Sequence, residues 1–379
     1  MPRGVALVHD YLNQRGGAER VFAQIARTFP EAPIFTSLLE RRAIGDLIDL
    51  ARIRTSPLQL APFREHLFRY LAPLYPLAFE RFDLRAFDVI VSSTTSWAKG
   101  VRFRADATHV CYINTVSRFL FNYDHYVDGL VAMQAVDGFK KLLRVVARPL
   151  IDDLIRWDRM AAGRPTAFIA NSRNVARRVR QFYGRNSFVL PCPVDVSQFT
   201  VGRGAGGYAL VISRLLPYKR VDLAIDACIE VGMPLVVIGT GPCESRLRER
   251  AASGKVRMLG AVDDATRRTA LADAALVILP GEEDFGLVPL EAAAAGRPTI
   301  ALRAGGALET IVEGLTGCYF DEPQVASLAE ALRTIQIGEF NPQRLREHAL
   351  TFAPNRFSER LLDLVCRIRD GERPLPIVD

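Results

Sequence analysis

The sequence lacks several features that mark specialised classes of protein. Its six cysteines, at positions 111, 192, 228, 243, 318 and 366, are scattered without a CxxC pair, which argues against a zinc site and predicts reduced thiols. No hydrophobic run reaches the length of a transmembrane helix, and the first residues lack the apolar segment of a signal peptide. There is no low-complexity tract and no repeat of solenoid period. We therefore expect a globular cytoplasmic protein.

The length and the charge narrow the expectation further. With 379 residues, two domains that each bury a core are expected. The net charge is +7, and arginine is far more frequent than lysine, which suits nucleic acid, anionic lipid or phosphate ligands. Zinc-finger and RRM signatures are missing, as is the interleaving of aromatic and basic residues found in single-strand binders. Nucleic acid is therefore the least favoured of these partners.

The most informative segment runs from Val277 to Leu302. An apolar strand at 275–279 is predicted to end at Pro280-Gly281, and an acidic loop follows. A short alanine-rich helix then begins near Leu287 and ends at Gly296, before a second apolar strand at 298–302. This strand–helix–strand order places the loop beyond the carboxyl ends of the strands, where open α/β sheets bind ligands.

This loop offers two kinds of ligand contact. Gly286 allows the backbone to approach a ligand closely, and the N–H groups at the helix start favour an anion such as phosphate. The carboxylates of Glu283 and Glu291 are candidates to project into one cleft and accept hydrogen bonds from sugar hydroxyls. Acidic residues are also favoured at helix N-termini without a ligand, and for Glu282 and Asp284 we prefer that interpretation.

The string from Glu283 to Glu291, with Phe285-Gly286 inside it and Ala-Ala-x-Gly-Arg-Pro after it, resembles the donor-site signature of retaining glycosyltransferases of family 4. It is most similar to the GDP-mannose-dependent mannosyltransferases of lipopolysaccharide and exopolysaccharide assembly. The resemblance implies an α/β protein with the GT-B fold, two Rossmann-like domains facing each other across a cleft. It predicts an acceptor domain at 1–190, onto which 354–379 returns, and a nucleotide-sugar donor domain at 206–353.

The resemblance also implies roles for individual residues. Arg214 and Lys219 match the family's Arg-Leu-x-Pro-x-Lys pattern and are expected to stabilise the departing diphosphate, with surface salt bridging as the alternative. Glu291 is expected to hold the ribose and Glu283 the sugar hydroxyls. The further residues expected to contact the donor are Gly16, Gly17, Asn114, Gly239, Gly241, Val262, Phe285, Gly286 and Leu287.

The N-terminal half departs from the family at one position and matches it at another. Asn114 stands where the family has a histidine that contacts the donor sugar; asparagine can bond a hydroxyl but cannot exchange a proton near neutral pH. Arg118 matches the family and is a candidate for an acceptor phosphate, or equally for a structural salt bridge. For Gly16-Gly17, spacing alone also permits a plain tight turn.

Residues 52–84 combine arginines 52, 54, 64, 69 and 81 with leucine, phenylalanine, tyrosine and proline. Such a segment suits contact with anionic lipid headgroups, as interfacial segments make. Its apolar residues are also compatible with an ordinary core, which is the commoner case. A peripheral contact with the inner face of the membrane therefore stays open beside the cytoplasmic assignment.

The resemblance, with the residues that carry it, implies a retaining glycosyltransferase that moves mannose from GDP-mannose onto a lipid-linked or polysaccharide-precursor acceptor. We find no Asp-x-Asp string that would hold a donor through a metal, so we expect a metal-independent enzyme without a cofactor. Two alternatives remain. One is a nucleotide-sugar epimerase or phosphorylase on the same scaffold. The other is a non-catalytic sugar-nucleotide-binding or assembly protein, which the departure at Asn114 favours.

Overall fold

The computed structural model of the protein describes residues 4–62, 68, 70–121, 137–202, 204 and 206–376, with the backbone alone at 137–147. Contacts within the chain divide these residues into two compact units. The first unit contains the described residues up to Pro191 and those from Phe357 onwards, and the second contains Cys192–Arg356.

Strands and helices alternate along both units. The strands are β1 (Val5–His9), β2 (Ile34–Thr36), β3 (Ile53–Thr55), β4 (Val89–Thr94), β5 (Thr108–Ile113), β6 (Ala167–Ala170), β7 (Ser187–Val189), β8 (Ala209–Ile212), β9 (Leu235–Ile238), β10 (Val256–Gly260), β11 (Leu276–Leu279), β12 (Thr299–Leu302) and β13 (Gly317–Phe320). The α-helices are α1 (Gly17–Thr28), α2 (Arg41–Ile44), α3 (Tyr75–Glu80), α4 (Arg118–Phe121), α5 (Asp137–Ala161), α6 (Arg173–Tyr183), α7 (Val221–Val231), α8 (Glu244–Ala251), α9 (Asp264–Asp273), α10 (Leu287–Ala294), α11 (Ala307–Thr310), α12 (Val325–Thr334), α13 (Pro342–Leu350) and α14 (Pro354–Arg369). Turns of 3₁₀-helix lie at Leu50–Arg52, Pro57–Leu60, Ala72–Leu74, Ala98–Gly100, Val196–Gln198, Pro217–Lys219 and Ile337–Glu339.

Each unit is built on one parallel sheet, and the two sheets share a topology. The first has the order β3-β2-β1-β4-β5-β6-β7, and the second has the order β10-β9-β8-β11-β12-β13. In each sheet the order reverses once, between β1 and β4 in the first unit and between β8 and β11 in the second. This is the doubly wound arrangement, so the predicted α/β architecture of two Rossmann-like halves is confirmed.

The strands form where the sequence is continuously apolar, because helices cover both faces of each sheet. The residues of β11 are all buried, as are the last four residues of β1. In the second unit, α7 packs against α8 and α12, and α10 packs against α9 and α13. Since parallel crossovers are right-handed, α7 and α8 lie on one face of the sheet and α10 lies on the other.

The predicted boundaries near the central loop agree closely with the structure, and α10 begins at the predicted residue, Leu287. Helix α5 continues through Pro149 without a break. Proline removes one backbone hydrogen bond from a helix. The buried residues Ile151 and Leu154, two and five residues further on, pack into the core and offset that loss.

None of the described helices combines the length and the apolar composition that crossing a membrane requires.

Candidate functional site

The site in the second unit is built where β8 and β11 lie side by side. Val277 of β11 pairs with Leu210 of β8, so the loops that follow the two strands leave from the same edge of the sheet. These loops touch through their backbones at Gly281. A Cβ atom placed on Gly281 would lie 2.5 Å from the carbonyl oxygen of Tyr218, so this approach requires glycine.

The contact between the two loops brings a cation and a carboxylate together. The Lys219 ammonium forms an ion pair with Oε1 of Glu283, and both side chains are half-buried. The same ammonium lies 5.1 Å from the centre of the Tyr218 ring. Arg214 leaves from the β8 loop as well, where it is exposed and forms no ion pair with any residue that the structure describes. Two of the predicted cations and one predicted carboxylate therefore lie on adjoining loops.

The glycine turn after β12 also holds the backbone of the acidic loop in place. The amide of Gly306 donates a hydrogen bond of 2.8 Å to the carbonyl oxygen of Glu283. A Cβ on Gly306 would lie 2.4 Å from the Cα of Phe285, so the two segments are in direct backbone contact. Gly286 has a φ of +92°, in the region that favours glycine, and it turns the chain into α10. The N-terminus of α10 is thereby held at the edge of the sheet.

The second glutamate of the string has a different partner. Glu291 lies about one turn into α10, and its Oε2 accepts a hydrogen bond from Nη1 of Arg267 on α9. Both side chains of this ion pair are buried. Glu283 and Glu291 are thus each paired with a cation, one on the β8 loop and the other on α9.

The structure explains Gly239 and Gly241 by packing. A Cβ on Gly239, whose φ is +137°, would lie 1.9 Å from the carbonyl oxygen of Ser213, and one on Gly241 would lie 2.6 Å from that of Leu215. The turn after β9 therefore presses against the β8 loop, and the Leu215 amide donates to Thr240 at 3.0 Å. Val262, half-buried, lies just beyond β10. Donor contacts at these positions stay a prediction.

In the first unit the corresponding position, between β1 and β4, holds a residue that the sequence analysis did not single out. Asp10 follows β1 directly and is buried. Its carboxylate accepts hydrogen bonds from the last residue of β4 and from the loop that follows. The donors are Thr94 Oγ1 (3.0 Å), Thr95 N (2.6 Å) and Oγ1 (2.8 Å), Ser96 N (2.9 Å), Trp97 N (2.9 Å) and Ala98 N (2.6 Å). One side chain thus fixes the whole loop after β4.

Asn114 belongs to the same network. Its Nδ2 donates to Ser93 Oγ at 3.0 Å and to the Thr94 carbonyl at 3.3 Å, and the side chain is buried. Ser117 Oγ donates to Ser96 Oγ at 2.6 Å. Residues beyond β5 are therefore tied to the loop that Asp10 holds, and the Asn114 amide already has partners within the protein.

The predicted glycines of the first unit lie at the start of α1, beside another carboxylate that the sequence analysis missed. The amide of Gly16 donates to Oε2 of Glu19 at 3.0 Å, and Glu19 is buried. Gly17 is the first residue of α1, and Arg118 begins the short helix α4 as a half-buried side chain. A role for these residues toward donor or acceptor stays a prediction.

His9, the last residue of β1, is neutral at physiological pH. Burial lowers its pKa from 6.5 to about 4, although the neighbouring Asp10 charge opposes the shift. Its Nδ1 donates to the Ser93 carbonyl at 3.0 Å, and its ring stacks on Phe22 with 4.4 Å between centres. The described part of the chain contains no cluster of three or more His, Cys, Asp or Glu side chains suited to a metal ion.

Two signals in the sequence point to the residues that were missed. Asp10 is the first polar residue after an apolar strand, and at a reversal of strand order such a position faces the crevice. Arg267 shares the helical spacing of Ala270 and Leu271, which places it on the buried face of α9. A charged residue at an apolar position of a helix indicates a buried partner.

Comparison with known proteins shows which family models match this chain. The model described as Glycosyltransferase Family 4 matches residues 15–198, and the model described as Glycosyl transferases group 1 matches residues 207–336. Together the two models match most of the chain.

Individual relatives are more distant. The chain is 28% identical over 228 residues to the D-inositol 3-phosphate glycosyltransferase of Geodermatophilus obscurus, covering 51% of each chain. It is 26% identical over 229 residues to the D-rhamnosyltransferase WbpZ of Pseudomonas aeruginosa, covering 55% of this chain and 59% of WbpZ. The chain thus spans about half the length of these curated relatives.

Solved structures resemble the whole fold. The structure of HepE from Anabaena in complex with UDP-glucose superposes with a TM-score of 0.68 at 18% identity, covering 96% of this chain and 99% of HepE. This likeness shows that the fold is GT-B.

Asp10→Asn is predicted to destabilise the first unit. The substituted amide turns an NH₂ group toward N–H donors, which breaks charge-assisted hydrogen bonds and leaves buried donors without acceptors. We expect a loss of about 3 kcal/mol, which lowers the Tm by on the order of 6 to 12 °C in a thermal melt. Asp46→Asn is the matched control, because Asp46 forms an exposed ion pair with Arg15 and exposed pairs contribute under about 1 kcal/mol. Equal effects of the two substitutions would contradict the role given to Asp10.

Proposed function

Because the chain belongs to the group 1, family 4 glycosyltransferases, we propose that it is a retaining hexosyltransferase that moves mannose from GDP-mannose to an acceptor hydroxyl. The observation that carries the proposal is the contact of Lys219 with Glu283 at the start of α10. A cation, a carboxylate and a helix N-terminus at one crevice suit a ligand that joins a diphosphate to a polyol.

The cations act on the leaving group. When the bond between the sugar C1 and the diphosphate oxygen breaks, its electron pair stays on the diphosphate, whose negative charge grows. Lys219 and the exposed Arg214 lie on one loop, so both can neutralise that charge together with the N–H groups of α10. Cations placed where charge develops lower the barrier without rearranging during the reaction.

The acceptor attacks from the face that the diphosphate leaves, which retains the anomeric configuration. The acceptor oxygen forms the new bond to C1, and its proton passes to the departing diphosphate oxygen. This step balances without a protein nucleophile, a metal or another cofactor, so we expect activity to persist in EDTA. It also requires no proton exchange at Asn114.

The carboxylates select the donor. Glu283 holds the sugar hydroxyls together with the backbone of residues 285–287, while Glu291 holds the ribose diol, since a carboxylate can accept from two adjacent hydroxyls. UDP-glucose in the complex of the structurally similar HepE supports a nucleotide-sugar ligand. The choice of GDP-mannose rests on the resemblance of the Glu283–Glu291 string to mannosyltransferases.

The donor is tested with purified protein in EDTA and a panel of GDP-mannose, GDP-fucose, UDP-glucose and UDP-GlcNAc. We expect GDP-mannose to raise the Tm by about 5 °C or more at about 100 times its dissociation constant, because it binds only the folded state. Lys219→Met should weaken that binding on the order of 10- to 100-fold, since it removes a charged hydrogen-bond donor. Lys255→Met, which removes an exposed lysine of the same unit, is the control and should bind as the wild type does.

Turnover separates the alternatives. A transferase releases GDP only when a lipid-linked or saccharide acceptor is present, whereas an epimerase converts the nucleotide sugar without releasing nucleotide, and a phosphorylase requires phosphate. Binding without any turnover would favour the non-catalytic assembly protein. If no sugar nucleotide raises the Tm, the proposed donor site is wrong.

The acceptor side of the proposal includes a peripheral contact with an anionic membrane. Residues 52–84, whose apolar side chains were expected either to form core or to contact lipid, contain both buried and exposed apolar side chains. Tyr75 and Phe79 are buried, whereas Leu60 and Tyr70 have 86% and 79% of their surface exposed. Arg54 and Arg81 in this segment are exposed, and the side chains of Arg64 and Arg69 lie outside the described residues. Exposed apolar side chains among arginines suit an interface with anionic headgroups.

The membrane contact is tested by co-sedimentation with phosphatidylglycerol vesicles, with phosphatidylcholine vesicles for comparison. Leu60→Ser with Tyr70→Ser should weaken partitioning at least about tenfold, because two large apolar side chains no longer enter the lipid. Leu375→Ser is the matched control, since Leu375 is 82% exposed in the same unit but far along the chain. The contact is refuted if the wild type stays in the supernatant or if the double variant sediments equally well.

A further inference from the structure

The ion pair between Arg267 and Glu291 is buried in a way that the proposed reaction does not by itself explain. The two side chains are only 10% and 9% exposed, and Nη1 of Arg267 donates to Oε2 of Glu291. The Arg267 guanidinium also lies 5.9 Å from the centre of the Phe199 ring, and its Nε is 3.5 Å from Oδ1 of Asp264. Arg267 is thus enclosed by an aromatic ring and two carboxylates.

Stability alone accounts poorly for this pair. Two charges removed from water cost several kcal/mol, and well-packed apolar residues of similar volume stabilise a core as well or better. What the pair does supply is orientation. A planar guanidinium bonded to one carboxylate oxygen restricts the rotation of that carboxylate, which a mobile solvated partner would not do.

The location of Arg267 connects this orientation to the donor. Helix α9 starts just beyond the carboxyl end of β10, where the side chain of Asp263 caps it by accepting from the Thr266 amide at 2.7 Å. Arg267 lies in the first turns of α9, and Glu291 lies in the first turns of α10. Both helices begin at the edge of the sheet where the nucleotide is proposed to bind, so the pair joins the two helix starts.

We infer that Arg267 is a positioning residue that sets the Glu291 carboxylate for the 2′- and 3′-hydroxyls of the donor ribose, an inference that rests on the proposed function. A carboxylate has about four acceptor sites, enough for one bond from arginine together with two hydroxyl donors. Arg267 itself touches no reacting atom. It acts through Glu291, whose orientation decides whether both hydroxyls are bound at once.

The test compares ribonucleotides with nucleotides that lack the hydroxyls. Titration calorimetry measures the dissociation constants of GDP and 2′,3′-dideoxy-GDP, and of UDP and 2′,3′-dideoxy-UDP. For the nucleotide that binds, we expect the wild type to prefer the ribose form by about tenfold or more, because two hydroxyls bond to a charged group. In Arg267→Lys, which keeps the charge but loses the planar fork, that preference should fall to about threefold or less, with the dideoxy form bound as in the wild type.

Two further variants make the result decisive. Arg268→Lys is the matched control, because the neighbouring arginine of α9 is not paired with Glu291, and it should keep the full preference. If the lysine variant folds poorly, Arg267→Gln gives a second measurement of the ribose preference. The glutamine amide donates a hydrogen bond but lacks the planar fork of the guanidinium. A melt without ligand accompanies each variant.

The outcomes separate this inference from the proposed function. If Arg267→Lys keeps the ribose preference, or weakens both forms of the nucleotide equally, Arg267 is only structural and the inference is wrong while the donor site stands. If the wild type binds neither GDP nor UDP, the proposed donor site is wrong and the inference falls with it.

Discussion

The parallel direction of the strands is the constraint on which the rest of the structure depends. All strands of one sheet end at the same edge, and the loops diverge only where the strand order reverses, which opens a crevice there. In the second unit this place, between β8 and β11, brings Lys219 to Glu283. In the first unit the equivalent place is filled by Asp10, which the backbone amides of residues 95–98 surround. The same topology thus places a cation beside a carboxylate in the second unit, and in the first unit it places a buried aspartate that holds a loop.

Charged groups at these edges are held before any ligand arrives. Glu283 has Lys219, Glu291 has Arg267, and Asp10 has a ring of N–H and O–H donors. The buried Arg267–Glu291 pair contributes little net stability, because the desolvation of its two charges offsets their attraction. All three arrangements fix the direction of polar groups, which lowers the reorganisation needed when a substrate binds or reacts.

The sequence predicted local features well and distant partners poorly. The strands around residue 280 and the start of α10 were predicted from apolar runs and from the glycine and proline residues that end them, which are local signals. The partner of Glu291 is 24 residues away, and the partners of Asp10 are 84 to 88 residues away, so only the fold reveals them. Gly239, which is expected to contact the donor, is also required by a neighbouring carbonyl, so a glycine at this position does not by itself indicate a ligand.

The central claim is that the loops after β8 and β11 bind the diphosphate of a nucleotide sugar. A crystal structure of the protein soaked with GDP-mannose measures this directly. We predict diphosphate oxygens within hydrogen-bonding distance of Lys219 Nζ and of the first amides of α10, with the ribose on Glu291. A nucleotide seated elsewhere on the second unit, with Lys219 still paired to Glu283 and no phosphate beside it, would contradict the claim.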